Sequence, residues 1–257
     1  MTPATIATTG SFAAGGARCL RRLRAHGVPR AAYALAQKLG HTPVTRRLAR
    51  LCVVDVFRAG LPEWKANGCI PRGFEVRQAG PADLPLLAGY FGSQERAAER
   101  LQRGDRCLAA LAQDAIGAAV WFSLGPNAYA DDWDDLRCVF RFPAGVAWSF
   151  DGRGTQWGAW GSLMVRAPQH LQDLGAEEVF TLVEWNNWKS IDSHRSLGWR
   201  RVAVLGCLRV APLVWRLYSA DGRRWHVPPG RIGRLEVLTS LPARAAMQPP
   251  ATPLPRH

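Results

Sequence analysis

From Phe74 onward the apolar positions change period repeatedly, and each change marks an element. Phe74 to Gln78 alternates and predicts a short strand. Gly80-Pro81-Ala82-Asp83-Leu84 opens a helix to about Phe91. Ser93 can cap a second through Leu101, with Glu95 and Glu99 near its positive end and Gly104 as its stop. Cys107–Leu111 and Ile116–Leu124 predict a hairpin turned at Gln113-Asp114. Gly125 to Asp135 reads as a loop. Leu136–Phe142 and Val146–Phe150 read as strands turned at Pro143-Ala144-Gly145. A glycine-rich turn, Asp151 to Gly161, leads into a helix from about Ala159 to Leu174, ended by Gly175. Val179 to Val183, apolar and β-branched, predicts a buried strand. Asn186-Asn187 then turns the chain into a helix from Trp188 to Leu197, with Gly198 where a left-handed cap falls. Strands at about Arg201–Leu208 and Pro212–Tyr218 follow. The order is β-α-α-β-β-loop-β-β-α-β-α-β-β, without an internal repeat.

Upstream the pattern is different. Residues 1–16 are small and Thr-rich with no apolar period. From Ala17 to Phe57, apolar residues such as Leu20, Leu23, Tyr33, Leu35, Leu39, Leu48, Leu51 and Val54 recur at roughly helical spacing. This predicts two or three short helices broken at Gly27-Val28-Pro29 and Gly40-His41-Thr42-Pro43. The expected organisation is a basic helical extension over 1–60 with a disordered start, a linker over 61–73, a main domain over 74–220, and a C-terminal extension with a disordered tail over 221–257.

Charge sharpens that division. The formal net charge is +13, yet residues 1–60 hold ten Arg and Lys against a single acid, Asp55, while residues 61–240 hold 21 against 19. Basicity therefore belongs to the N-terminal segment. Arg18, Arg21, Arg22 and Arg24 point to contact with an anionic surface or to a solvated helix face. The distribution argues against a nucleic-acid footprint over the whole protein. No apolar run is long enough for a membrane span. The N-terminus lacks the basic-then-apolar pattern of a secretory signal, and the six cysteines form no CxxC, so a reducing cytoplasm is the expected setting.

Three stretches carry a resemblance to the GCN5-related N-acetyltransferase (GNAT) superfamily, covering residues 74 to about 218. The opening VRQAGPADLPLL resembles its strand-then-helix start. The strand, turn and helix from Val146 to Leu174 stand at the place of its pyrophosphate loop. Asn187 is followed at +3, +7, +11 and +12 by Ser190, His194, Gly198 and Trp199, where the family has a small residue, usually Tyr, Gly and an aromatic. The family loop reads (Gln/Arg)-x-x-Gly-x-(Gly/Ala). Two registers stay open. With Arg153 first, Gln156 stands at the first glycine and Gly158 at the last position. With Gln156 first, Ala159 and Gly161 take the two small positions. Trp157 and Trp160 are bulky for such a loop.

The resemblance implies an α/β (α+β) fold with a mixed, mostly antiparallel sheet flanked by helices. It implies acetyl-CoA as co-substrate and a small-molecule or sugar amine as acceptor. The loop from Arg153 to Gly161, including Gln156, Trp157, Gly158 and Ala159, would hold pyrophosphate at a helix N-terminus. The strand with Val146 and Trp148 would face the thioester, and Asn187 and Ser190 would sit on the CoA side. His194, at the tyrosine position, is the expected acid for the leaving thiolate. Glu184, at the end of its strand, is the first candidate base, and Asp151 the second. The cluster Asp131, Asp132, Asp134 and Asp135 could attract a cationic amine or simply be solvated. The departures in the loop and at His194 keep a second reading open: a degenerate GNAT module that binds a ligand or partner without catalysis. No GxSxG, HExxH, P-loop lysine or GxGxxG offers a competing chemistry.

Overall fold

A computed structural model describes residues 27–39, 49–65, 73–130, 138–210, 213–220, 223–230 and 235–238. The elements are α1 (Val28–Leu39), β1 (Ala49–Gly60), β2 (Glu75–Ala79), α2 (Leu84–Phe91), α3 (Gln94–Arg103), β3 (Arg106–Ala112), β4 (Ala115–Leu124), β5 (Asn127–Ala130), β6 (Cys138–Phe142), β7 (Val146–Gly154), α4 (Ala159–Asp173), β8 (Glu178–Glu184), α5 (Trp188–Ser196), β9 (Arg200–Val210), β10 (Leu213–Ala220), β11 (Arg223–Gly230) and β12 (Leu235–Leu238).

Nine strands form one sheet in the order β11-β10-β9-β1-β8-β7-β4-β3-β2. Every neighbouring pair is antiparallel except β7 and β8. The mixed, mostly antiparallel sheet flanked by helices is thus present. On one face lies a core of Trp121, Phe150 and Phe180, closed by α2 and α3. Phe140 and Phe142 stack on Trp148 there, bringing in the small sheet β12-β6-β5. On the other face Leu163, Met164 and Leu171 of α4 and Ile191 of α5 pack on Phe57, Val120 and Val179.

Local signals set the helix ends as expected. The Ser93 hydroxyl accepts the Arg96 amide, and Gly104, Gly175 and Gly198 all take positive φ. At Gly198 a Cβ would lie 2.8 Å from the Glu63 carbonyl oxygen, so both conformation and space require glycine.

The expectation of helix up to Phe57 is corrected. Val28–Leu39 is helical, but Ala49–Gly60 is a twelve-residue strand in the middle of the main sheet. It pairs β8 from Val54 to Gly60 and β9 from Ala49 to Arg58. Val54 and Val56 enter one core and Phe57 and Ala59 the other. A strand buried on both faces loses its alternation, so the spacing of Leu51 and Val54 mimicked a helix. Two further corrections concern short strands. Part of the predicted 125–135 loop pairs as β5, and the unassigned 223–236 stretch contains β11 and the start of β12. The basic cluster at 18–24 and the acidic cluster at 131–135 lie outside the described residues. Among the described residues no helix is long and apolar enough to cross a membrane.

Candidate functional site

β7 and β8 run side by side for only four rungs, Val146–Ser149 against Glu178–Thr181. The Thr181 hydroxyl donates to the Ser149 carbonyl at 3.0 Å on the last rung. Beyond it β7 continues to Gly154 and β8 to Glu184 without pairing each other. The cause lies on the far side of β7. Its register with β4 shifts between Ala119 and Trp121, and Asp151 takes φ +48°. Such a bulge bends a strand and raises its twist, which draws β7 away from β8. The seam therefore opens at the carboxyl ends of two parallel strands, where backbone groups become available to a ligand.

The loop from β7 to α4 borders this seam. The amides of Thr155 and Gln156 both donate to the Gly117 carbonyl of β4, at 2.8 and 3.1 Å, and the Thr155 hydroxyl adds a third bond at 3.1 Å. Gly117 also admits α4 itself, since a Cβ there would lie 2.9 Å from the Ala159 Cβ. The loop ends on Gly158, the N-cap of α4, at φ +83°. No side chain caps this helix and no acid stands in its first turn. A Cβ on Gly161 would meet nothing within 4 Å. The N-terminus of α4 keeps its positive dipole end and amides available to an anion.

The individual loop residues differ in what they can do. Arg153 stacks on Phe91 of α2 with its guanidinium carbon 5.7 Å from the ring centroid, on the face of the sheet opposite α4. Trp157 is 92% exposed and occupies no core position. Trp160 lies over the backbone of Gly152 and Gly154, where a Cβ would come within 2.7 and 3.0 Å of it. Val146 and Trp148 belong to the paired half of the seam, and the Trp148 ring is buried against Phe140 at 4.3 Å. The open edge thus begins downstream of Val146 and Trp148, at Phe150, the last residue of the strand expected to face the thioester.

The three candidate acid–base residues have separate surroundings. The Asp151 carboxylate pairs with the Arg100 guanidinium, itself held over Trp121 and Phe150. His194 is only 8% exposed, stacked on Phe57 and edge-on to Trp199. Its Nδ1 lies 2.6 Å from the Ser190 carbonyl oxygen and 3.3 Å from the Ser190 hydroxyl. Burial holds its pKa below the ordinary imidazole value, partly offset by the Ser190 carbonyl. Asn187 caps α5, its Oδ1 accepting the Ser190 amide at 3.2 Å. Asn187 and Ser190 are therefore engaged in building the helix.

Glu184 stands at the end of β8, beyond the last β7 rung, half-buried and opposite Val54 of β1. Here the structure brings in residues that the sequence reading passed over. The Tyr33 hydroxyl of α1 donates to Glu184 Oε1 at 3.0 Å. Burial is the main cause raising the Tyr33 pKa above the usual phenol value. Next to it Asp55, fully buried in β1, pairs with Arg30 of α1 and accepts the Trp185 indole N–H at 2.9 Å. Arg201 of β9 stands 3.7 Å from the same carboxylate. Asp55 had one signal in the sequence, as the single acid among sixty residues. Gly117 had another, as a glycine inside an apolar strand. Tyr33 had none beyond its helical spacing.

No family model matches the chain, and no curated protein matches it in sequence. Solved structures do show likenesses. A functionally unknown conserved protein from Staphylococcus epidermidis is 7% identical at a TM-score of 0.45, over 69% of this chain and 66% of its own. A GCN5-related N-acetyltransferase from Kribbella flavida is 9% identical at 0.40, over 70% of this chain and 63% of its own. A GCN5-related glucosamine N-acetyltransferase region of a fungal multi-domain β-N-acetylglucosaminidase is 14% identical at 0.46, over 66% of this chain and 22% of that protein. The chain thus spans less than two thirds of the length of each of these three. Likeness this partial decides neither activity nor substrate, which rest on the residues of the chain itself.

Proposed function

We propose that this protein is an acyl-CoA-dependent N-acyltransferase of GNAT type, transferring acetyl from acetyl-CoA to the amine of a small molecule or sugar in the cytoplasm. The observation that carries the reading is the seam between β7 and β8. It opens after four rungs beside an uncapped, acid-free helix N-terminus. That pairing suits a long ligand with an anionic middle and a reactive end that needs backbone hydrogen bonds.

In this reading the first turn of α4 holds the pyrophosphate. The register with Gln156 first is preferred, because Ala159 and Gly161 then fall in that turn, while Arg153 is turned towards α2. Acetyl-CoA, when bound, supplies the activated thioester. Backbone N–H groups of β7 beyond Ser149 hold the carbonyl oxygen as charge develops on it. Glu184 accepts the proton of the attacking amine, directly or through water. Asp151 is assigned to holding Arg100 and the bulge rather than to proton transfer. His194 is assigned to the packing of α5 on Phe57, because a buried imidazole of lowered pKa is a weak proton source.

That last point favours the second reading, in which the module binds a ligand without catalysis. Thermal unfolding with acetyl-CoA comes first. Saturating ligand should stabilise the fold by about 2–3 kcal/mol at a hundredfold excess over Kd. No change in Tm at millimolar acetyl-CoA would sink the CoA-dependent reading. Stabilisation with no labelled acetyl transfer to any amine in a metabolite extract would favour the binding module.

A further inference from the structure

The Tyr33 hydroxyl has three neighbours and one proton. It lies 2.9 Å from Gln37 Nε2, 3.2 Å from the Val53 amide nitrogen and 3.0 Å from Glu184 Oε1. The Val53 amide can only donate. Gln37 Nε2 also reaches the Leu51 carbonyl oxygen, which can only accept, so the amino end of that side chain is the one facing Tyr33. Both of those contacts point hydrogens at the phenolic oxygen. Its own proton can therefore go only to Glu184. No further described group bonds Glu184 Oε2, and the residue is half-buried at the mouth of the seam.

The helix that presents Tyr33 is firmly held. Arg30, Tyr33 and Gln37 lie on one face of α1 and bind, in turn, Asp55, Glu184 and Leu51. Trp185 fills the space between the first two, with Arg30 5.3 Å above its ring and Tyr33 edge-on at 6.0 Å. The charged and titratable groups facing this corner are Arg30 from α1, Cys52 and Asp55 from β1, Arg195 from α5 and Arg201 from β9. Asp55 and Arg30 are engaged with one another, which leaves Glu184 as the carboxylate of this corner with an oxygen to offer.

We propose that Tyr33 is a positioning residue. Its one-way hydrogen bond locks Glu184 Oε1, so that Oε2 is presented to the acceptor amine at the open end of the β7–β8 seam. The inference rests on the reading of Glu184 as base. The N-terminal segment then completes the site instead of decorating it. The nitrogen lone pair attacks the thioester carbonyl as the amine N–H bond breaks and its proton passes to Oε2; the adduct then collapses to the amide as the C–S bond breaks, and CoA leaves as a thiolate that takes its proton from water. Tyr33 keeps its own proton throughout.

Two measurements test this. The first needs no activity. In proton NMR of the full chain, the Tyr33 hydroxyl should give a slowly exchanging downfield signal. It should vanish in Tyr33→Phe and move upfield in Glu184→Gln, where a charged acceptor becomes neutral. A signal absent from the wild type, or indifferent to Glu184→Gln, overturns the proposal. The second is kinetic. Tyr33→Phe should lower kcat by about ten- to a hundredfold, as expected of a misaligned group, with KM for acetyl-CoA nearly unchanged and only a modest fall in Tm from the lost hydrogen bonds. An unchanged kcat, or a loss explained by a matching fall in folded protein, overturns it. If Glu184→Gln is as active as the wild type, the base assignment fails, and the NMR result shows separately whether the tie exists.

Discussion

Strand β8 has two neighbours and is joined to them in opposite ways. With β7 it is parallel, held by four rungs, and parts company after Thr181. With β1 it is antiparallel and paired along its whole length, from Glu178 to Glu184. The first seam is built to open, because a bulge at Asp151 turns β7 aside. The second is built to stay shut. Where β1 runs past the end of β8, the Trp185 amide, the Tyr33 hydroxyl and Gln37 take up its backbone groups at Val53 and Leu51. One strand thus carries an edge that opens and an edge that stays paired, and Glu184 stands at the end where they part.

The largest expected effect falls on the shut seam. Asp55→Ala leaves Arg30 buried with its charge uncompensated, which should cost about 3–5 kcal/mol in urea unfolding. A loss below about 1 kcal/mol would mean that α1 is not held through this pair. The open seam should respond differently. Gly117→Val places a branched side chain against Ala159 Cβ, with a modest stability loss of about 1–3 kcal/mol. Binding of acetyl-CoA, measured by calorimetry, should weaken far more than stability does. Equal affinity for the two proteins would detach the α4 N-terminus from ligand binding. The smallest effect concerns pH. The pKa of His194 is lowered on folding, so the unfolded chain protonates more readily as pH falls. Its contribution is complete above the ordinary imidazole range and is lost as pH drops towards the folded value. Stability should decline on going from neutral to mildly acidic pH, and less so in His194→Gln, which has no buried imidazole to protonate.

What the sequence made legible was local. Ser93, Gly104, Gly175, Asn187 and Gly198 each marked a helix end, because capping depends on a few neighbouring residues. Apart from β5, the order of strands and helices from residue 74 to 220 followed from these stops. β1 was not legible, since a strand buried on both faces has no period of its own and its partners lie more than a hundred residues away. β12 was missed for a similar reason, as a four-residue strand whose parallel partner is β6. At the candidate site, the motif from Asn187 to Trp199 marked the capped helix α5. The sequence could not show that His194 is sealed between Phe57 and Trp199, or that Glu184 meets a tyrosine from the opposite end of the chain. Those are facts of tertiary pairing.

The central place of β1 also sets a schedule for the growing chain. It comes first among the described strands, yet its partners begin at Glu178 and Arg200. Until then Val53, Val54, Val56 and Phe57 form an apolar strand with two bare edges, an invitation to wrong pairing. Closing the sheet around it is a late, long-range event, which predicts slow refolding and a protein best produced where nascent chains are shielded.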